Sequence, residues 1–197
     1  PEVSLDTLNT HREGLVCLSG GRDGIVSHPL SKGALDDARA HATRLREVFG
    51  RSFYIEVHDH LLAEDVYRIR EELVIAERVD APWVVTADAR HATPSDKLVQ
   101  DALRCLRYKT TLTEAGDRLF PNDARTLRSP EWMHRTWRDA PAGLWRTLEI
   151  AERCHFRLLK DLRPALPSYP VPEAYTSTDA FLAARVQQGL RTRYSPI

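Results

Sequence analysis

Three clusters of polar and ionisable residues stand directly after apolar stretches of β-strand type. His58-Asp59-His60 ends one such stretch, and Asp88-Ala89-Arg90-His91 ends the next along the chain. Further upstream, Gly20-Gly21-Arg22-Asp23-Gly24 ends a third. Because the carboxyl ends of parallel strands meet at one rim of a sheet or barrel, this pattern predicts a site at that rim.

The histidines and the aspartate of these clusters carry donor atoms that suit a divalent metal ion. His58 and His60 are two residues apart, so in extended chain they point the same way, and imidazole suits zinc, iron or manganese. Asp88 and His91 would add a carboxylate and an imidazole from the next strand end. The residue types therefore predict a metal site that contains His60, Asp88 and His91, with zinc, manganese or magnesium as the ion.

Each cluster also has an interpretation without a metal ion. A turn after a strand often collects histidine and aspartate for hydrogen bonding alone. Arg90 lies between Asp88 and His91 and repels a cation, which favours an ion pair between Asp88 and Arg90. The glycines of residues 20–24 form neither a Walker A sequence nor a dinucleotide fingerprint, so they favour a tight turn.

Strand and helix patterns alternate through the first half of the chain. Strands are expected at residues 15–19, 53–57 and 83–86. Apolar residues spaced three and four apart predict helices at about 34–49, 63–79 and 95–107. This order predicts an α/β fold with parallel strands, in which the three strand ends lie on the same side.

The pattern changes beyond residue 107, where the strand signal disappears. Residues 108–128 are typical of an irregular connector, and helices are expected at about 130–138, 142–154 and 178–193. The four prolines of residues 162–172 exclude a helix and predict an extended strap. We therefore divide the sequence into three parts, which are residues 1–107, 108–172 and 173–197.

The composition limits the function classes. The 28 basic and 28 acidic residues leave no formal net charge, which argues against a protein that coats nucleic acid but not against a local basic groove. Six basic residues could track a phosphate backbone, although interleaved acids favour a solvated face: Arg104, Arg107, Lys109, Arg118, Arg125 and Arg128. No apolar run approaches the roughly 20 residues of a membrane span, so a cytoplasmic location is expected. The three separated cysteines predict reduced packing residues.

Several short motifs follow one another in a characteristic order and spacing. Gly14–Gly21, Phe53–His60 and Pro82–His91 resemble the later part of the polymerase-and-histidinol-phosphatase (PHP) domain in the family of bacterial DNA polymerase III alpha subunits. Four later segments resemble the family's passage from the PHP domain into the palm domain, namely Leu119–Ala124, Leu127–Met133, Thr147–Cys154 and Leu166–Pro172. Two features favour the error-prone branch. Gly21 stands where the replicative branch commonly has cysteine, and the connector at residues 120–129 resembles that of the error-prone branch.

This resemblance implies both a fold and a function. The fold would be a partial PHP-type (β/α) barrel over residues 1–107, followed by a helical connector and the entry to the palm domain. The parent protein would extend DNA from deoxynucleoside triphosphates in replication or error-prone repair, together with other polymerase or repair subunits. The chain itself would be a fragment that supplies scaffold and a degenerate metal pocket.

The departures from the family pattern bear on activity. The family's opening His-x-His motif is absent, since His58-Asp59-His60 follows a later strand and is not that motif. The family's closing Asp-x-His corresponds here to Asp88-Ala89-Arg90, with His91 one place late. No Asp-x-Asp pair of the palm type occurs in the chain. We therefore expect no polymerase activity and negligible metal-dependent exonuclease activity from the chain alone.

Two other functions are compatible with the same residues. The first is a free-standing metal-dependent phosphoesterase, which requires His58, His60, Asp88 and His91 to converge and would show phosphatase turnover. The second is a non-catalytic DNA-binding or interaction module, which would show salt-sensitive DNA affinity without turnover. An incomplete barrel would also leave strand edges and core exposed, so the isolated chain is expected to aggregate or to be partly molten.

Overall fold

The computed structural model describes residues 3–161 and 169–194 of the chain. The chain divides into two compact units, residues 1–155 and residues 156–197, and each unit is described by itself. Most of the predicted proline-rich strap, residues 162–168, lies outside the described residues.

The helices of the first unit begin and end within two residues of most of the predicted bounds. Their caps explain several of these ends, since the Ser129 hydroxyl accepts a hydrogen bond from the Trp132 backbone amide at the start of one helix. Two short helices near the amino terminus, the first two in the following series, were not predicted. The helices are α1 Leu5–Thr10, α2 Ser27–Leu30, α3 Leu35–Phe49, α4 Ala63–Arg78, α5 Lys97–Tyr108, α6 Pro130–Thr136 and α7 Ala142–Arg153.

A three-stranded parallel sheet organises this unit. Its strands are β1 Cys17–Leu18, β2 Phe53–Val57 and β3 Trp83–Val85, and β2 lies between the other two. The predicted α/β class with parallel strands is therefore confirmed, and the arrangement is consistent with a partial PHP-type fold. β1 is shorter than the predicted strand at residues 15–19.

The core forms around β2 because both faces of this strand are covered. Phe53, Ile55 and Val57 on one face of β2 and Tyr54 on the other are fully buried, as expected for the central strand of a parallel sheet. Helix α3 contributes Ala38 and Ala42, whose small side chains let a helix approach the sheet closely. The carboxyl end of β2 therefore extends from a packed core.

Helix α7 covers β3 and joins the second half of this unit to the sheet. Gly143 faces the Trp83 ring, and the Arg146 guanidinium donates a hydrogen bond to the Trp83 carbonyl at 3.1 Å. The Tyr54 hydroxyl donates to the Glu149 carboxylate at 2.7 Å. Helix α7 is therefore part of the same compact unit as the strands.

Replacing Gly143 with alanine tests this contact. A Cβ at residue 143 would lie 2.0 Å from the Trp83 ring, so α7 must shift, and overpacking of this kind costs about 1–3 kcal/mol. We expect Gly143→Ala to lower the urea midpoint of unfolding. Gly189→Ala is the control, because nothing lies within 4 Å of that Cβ and alanine favours a helix interior by about 0.5–1 kcal/mol. Equal midpoints for the two variants would contradict the close approach of α7 to β3.

The second unit contains α8 Leu158–Asp161 and α9 Thr178–Tyr194, and the latter matches the helix predicted at residues 178–193. The Phe181 ring stacks on Tyr169 at 5.7 Å and meets Tyr175 edge-on at 5.0 Å. Leu182, Val186 and Leu190 of α9 remain more than half exposed. Across the described parts of both units, no helix has the length and apolar character needed to cross a membrane.

Candidate metal centre

His58, His60 and Asp88 come together at the carboxyl ends of β2 and β3. One possible ligand atom from each of the three side chains lies within 4.8 Å of the others. Both histidines are at least 96% buried, so the cluster is largely shielded from water. The prediction that His60 and Asp88 meet at one rim of a parallel sheet is therefore confirmed.

His58 is oriented by two neighbours on the strands. Its Nε2 atom lies 2.6 Å from the Thr86 hydroxyl, which itself donates to the Glu56 carboxylate at 2.7 Å. Since the Thr86 proton is used for Glu56, we infer that His58 Nε2 carries a proton and donates to Thr86. Nδ1 then holds the free lone pair, and it has no hydrogen-bond partner among the described residues.

Glu56 stays charged beside this imidazole. Burial alone would raise the pKa of its carboxyl group, but the hydrogen bonds from His58 and Thr86 outweigh burial and leave the pKa below its usual value. The ionised carboxylate fixes the Thr86 hydroxyl, and through it the His58 ring.

His60 offers the clearest vacant donor atoms in the cluster. Neither of its ring nitrogens has a hydrogen-bond partner within the described residues, although the side chain is 1% exposed. Burial and the nearby charge of Arg125 lower the pKa of His60 to about 4. The ring is therefore neutral at neutral pH, and a neutral imidazole is the form that binds metal ions.

The backbone around His60 is held from two sides. Its amide donates to the Asp65 carboxylate at the start of α4, at 2.8 Å. Its carbonyl accepts from the Asn122 side chain of the connector, at 2.7 Å. The connector therefore takes part in shaping the site, which the sequence did not indicate.

Asp88 is already engaged by two arginines. Its carboxylate pairs with Arg90 at 2.7 Å and with Arg125, whose side chain is buried. The pair with Arg90 was preferred from the sequence and is confirmed, whereas the pair with Arg125 was not foreseen. A metal ion that takes Asp88 as a ligand has to compete with both guanidinium groups.

His91 lies outside the cluster. Its Nδ1 atom is 2.9 Å from the Thr93 carbonyl, and its backbone pairs with Thr126 of the connector. The structure therefore brings together two members of the predicted set, His60 and Asp88, and adds His58. The spacing of His58 from His60 indicates metal binding by both rings, so the signal for His58 is present in the sequence.

A buried ionic network lies beside the carboxyl end of β2. Arg68 of α4 donates to Asp65 at 2.7 Å, to both carboxylate oxygens of Glu72 at 2.9 and 3.0 Å, and to the His58 carbonyl at 2.6 Å. The Ser27 hydroxyl also donates to Glu72, at 2.6 Å. Burial raises the pKa of Glu72, and the charge of Arg68 opposes that rise. In the sequence these residues resemble an exposed charged helix face, so their role was missed.

The glycine-rich turn after β1 packs directly against the cluster. Gly20 and Gly21 have φ values of 91° and 56°, which glycine adopts without strain, so the predicted tight turn is confirmed. A Cβ at Gly21 would lie 2.2 Å from the His58 ring. The turn therefore needs glycine for a second reason, which is the space that His58 occupies.

The donor set fits a divalent metal ion. Two buried imidazoles with unpartnered ring nitrogens and one carboxylate are ligands of the type these ions prefer. A bound ion would supply a Lewis acid for a phosphoryl oxygen and would lower the pKa of a bound water. Arg90 and Arg125 weaken the fit, because they neutralise the one carboxylate of the set.

Comparison with known proteins first identifies a domain family that part of the chain matches. Residues 1–60, which include β1, β2 and both histidines of the cluster, match the family model of the PHP domain. The chain therefore carries PHP-domain sequence, as its motifs predicted.

The relatives then define the group of proteins. The chain is 32% identical over its whole length to the DNA polymerase III subunit alpha of Treponema pallidum and 33% identical over its whole length to the error-prone DNA polymerase of Symbiobacterium thermophilum. It is 38% identical over 78% of its length to the error-prone DNA polymerase of Anaeromyxobacter dehalogenans. The chain is thus related throughout its length to this group of bacterial DNA polymerases.

The match covers one segment of much longer proteins. The chain spans 17%, 18% and 13% of the lengths of these three relatives, respectively. Relatives of both kinds match, so the assignment to the error-prone branch stays a prediction.

Proposed function

We propose that this chain is a segment of a bacterial C-family DNA polymerase whose parent protein extends DNA from deoxynucleoside triphosphates. The similarity over the whole chain to DNA polymerase III alpha subunits and error-prone DNA polymerases carries this proposal. The parent would act in the cytoplasm, in replication or error-prone repair, with other polymerase or repair subunits as partners. Residues 1–107 would be the later part of the PHP domain, residues 108–172 a connector, and residues 173–197 the entry to the palm domain.

Within this segment, the role of the histidine cluster is that of a degenerate metal pocket. His58 and His60 retain vacant nitrogens, which favours metal affinity. Asp88 is held by two guanidinium groups, which opposes tight binding. The resemblance implies that Arg90 stands where the family's Asp-x-His motif would place a histidine, so a metal ligand would also be missing. Weak binding of zinc or manganese without efficient phosphoester hydrolysis follows from this balance.

Titration of the purified 197-residue chain with zinc and manganese, together with hydrolysis of a labelled single strand, tests the pocket. We expect His60→Ala to lower metal affinity by at least about 10-fold, the low end of the effect of losing even an outer partner of a metal site. Arg90→His should raise affinity and hydrolysis, because it removes a cation and adds a donor. Hydrolysis by the unaltered chain should be negligible.

Two further variants separate the possible ligand sets. His58→Ala should weaken metal binding as His60→Ala does, whereas His91→Ala should leave it unchanged if the observed cluster is the binding set. A loss caused by His91→Ala would instead support the set predicted from the sequence. Efficient turnover that His60→Ala and Asp88→Ala abolish would overturn the degenerate pocket and favour a working phosphoesterase.

A further inference from the structure

A trough lined by arginine and aromatic side chains lies beside the candidate metal centre. Two cavities of about 400 and 470 Å³ adjoin there, with Asp23, Arg104, Phe120 and Arg125 in the walls of both, and the smaller one carries the excess of arginine. The arginine trough is defined here by Arg90, Arg104, Arg107, Tyr108, Phe120 and Arg125. Its size falls in the range of ligand sites, about 300–1,000 Å³.

The arginine trough carries an excess of positive charge. The smaller cavity is lined by four arginines against one carboxylate, that of Asp23. Arg90 and Arg125 share the carboxylate of Asp88, but no carboxylate of the described residues lies within ion-pair distance of Arg104 or Arg107. Mutual repulsion of these groups is unfavourable in the free protein, and an anionic ligand would relieve it.

Aromatic rings hold the guanidinium groups in place. Phe120 lies between Arg104 and Arg125, at 4.2 and 4.1 Å from its ring centre. Arg104 and Arg107 also lie 5.6 and 5.9 Å from the ring of Tyr108. A cation–π contact orients a guanidinium group without neutralising its charge. The terminal N–H groups of Arg104 and Arg107 therefore remain available to a ligand.

We propose that the arginine trough binds the phosphodiester backbone of a single-stranded nucleic acid next to the metal centre. Planar guanidinium groups match phosphate oxygens in a bidentate manner, and a positive groove with aromatic side chains is typical of single-strand binding. The arginines come from the loop after β3, from α5 and from the connector, and a strand with successive phosphates would present an anionic group to each of them.

This site adds a ligand surface to the proposed function and does not depend on metal binding. Binding of a labelled oligothymidylate to the full chain is therefore measured by fluorescence anisotropy in EDTA. Failure of this binding would leave the metal titration unaffected, and failure of metal binding would leave the trough intact. The two proposals can thus fail separately.

Arg104→Gln/Arg107→Gln removes the two arginines that have no carboxylate partner. We expect the dissociation constant for the strand to rise by at least about 10-fold and the slope of log affinity against log salt to fall by about 1.4, at roughly 0.7 for each phosphate that is no longer neutralised. Arg39→Gln/Arg44→Gln on the exposed face of α3 removes the same charge elsewhere and should change little. Far-ultraviolet circular dichroism confirms that each variant folds.

If the double variant does not fold, a single charge reversal tests the same proposal. The Arg107 side chain makes no hydrogen bond or ion pair to the described residues. Arg107→Glu should therefore weaken binding of the strand at least as much as the double variant does, without loss of structure. Arg44→Glu should leave binding of the strand unchanged. Equal effects of the trough and α3 variants would overturn the proposal. Displacement of the strand by inorganic phosphate or thymidine monophosphate at equal phosphate concentration would also overturn it, in favour of a site for one phosphate group.

Discussion

Arg68→Met is expected to remove about 3–5 kcal/mol from the free energy of unfolding, because breaking a buried ion pair leaves uncompensated charge in the interior. Arg68 is 5% exposed, and its guanidinium joins Asp65, Glu72 and the His58 carbonyl. Its loss leaves two buried carboxylates without their cation. Such a change is a large fraction of the roughly 5–15 kcal/mol that stabilises a typical protein. Chemical denaturation measured through the tryptophan fluorescence gives the difference, and the absence of a cooperative transition in the unaltered chain would support the partly molten state expected of an incomplete barrel.

The matched control is Arg39→Met on α3. Arg39 pairs with Asp36 at 2.9 Å with the same i, i+3 spacing that joins Arg68 to Asp65, but both partners are exposed. Exposed pairs contribute only about 0–1 kcal/mol, so the control should unfold close to the unaltered chain. Similar losses in the two variants would show that the Arg68 network contributes no more than a surface pair. Arg68→Met/Glu72→Leu should recover part of the stability, since it removes one of the stranded carboxylates.

The parallel sheet and its rim were predictable because their signals are local. Apolar runs such as Phe53–Val57 end abruptly in polar residues, and helices of regular apolar spacing separate them. Parallel strands connected by helices place successive strand ends on one side of the sheet, so the proximity of His60 and Asp88 could be predicted from the sequence alone. The ordered motifs also indicated a resemblance to DNA polymerase III alpha subunits, and the relatives confirm similarity to these proteins over the whole chain.

The remaining features of the site depend on contacts between distant segments. Arg125 reaches Asp88 because Arg90 and His91 pair through their backbone with the connector, for instance through the Arg90 amide and the Arg125 carbonyl at 2.7 Å. An isolated bridge of this kind leaves no periodic pattern in the sequence. The buried charges of α4 were missed for a related reason. Arg68 and Glu72 have the spacing of an exposed helical ion pair, and only the packing of α4 against β2 places them in the interior.

Gly21→Ala should damage both the turn and the metal centre, although alanine is a small change. The φ of 56° at this position costs an alanine about 1–2 kcal/mol, and a Cβ at 2.2 Å from the His58 ring adds about 1–3 kcal/mol of overpacking. His58 cannot keep both its contact with Thr86 and its place near His60 once that space is filled. We therefore expect metal affinity to fall by about 10- to 100-fold, as when a partner that orients a ligand is lost.

Gly116→Ala separates backbone strain from the steric effect on His58. Gly116 also begins a 3₁₀ turn, its φ of 51° is close to that of Gly21, and nothing lies within 4 Å of its Cβ position. This variant should therefore lose only the strain energy of about 1–2 kcal/mol and retain metal affinity. Unfolding experiments and zinc titrations on both variants give the comparison. If Gly21→Ala binds zinc as tightly as Gly116→Ala, then the position of the His58 ring does not determine metal binding, and His60 with Asp88 would hold the ion without it.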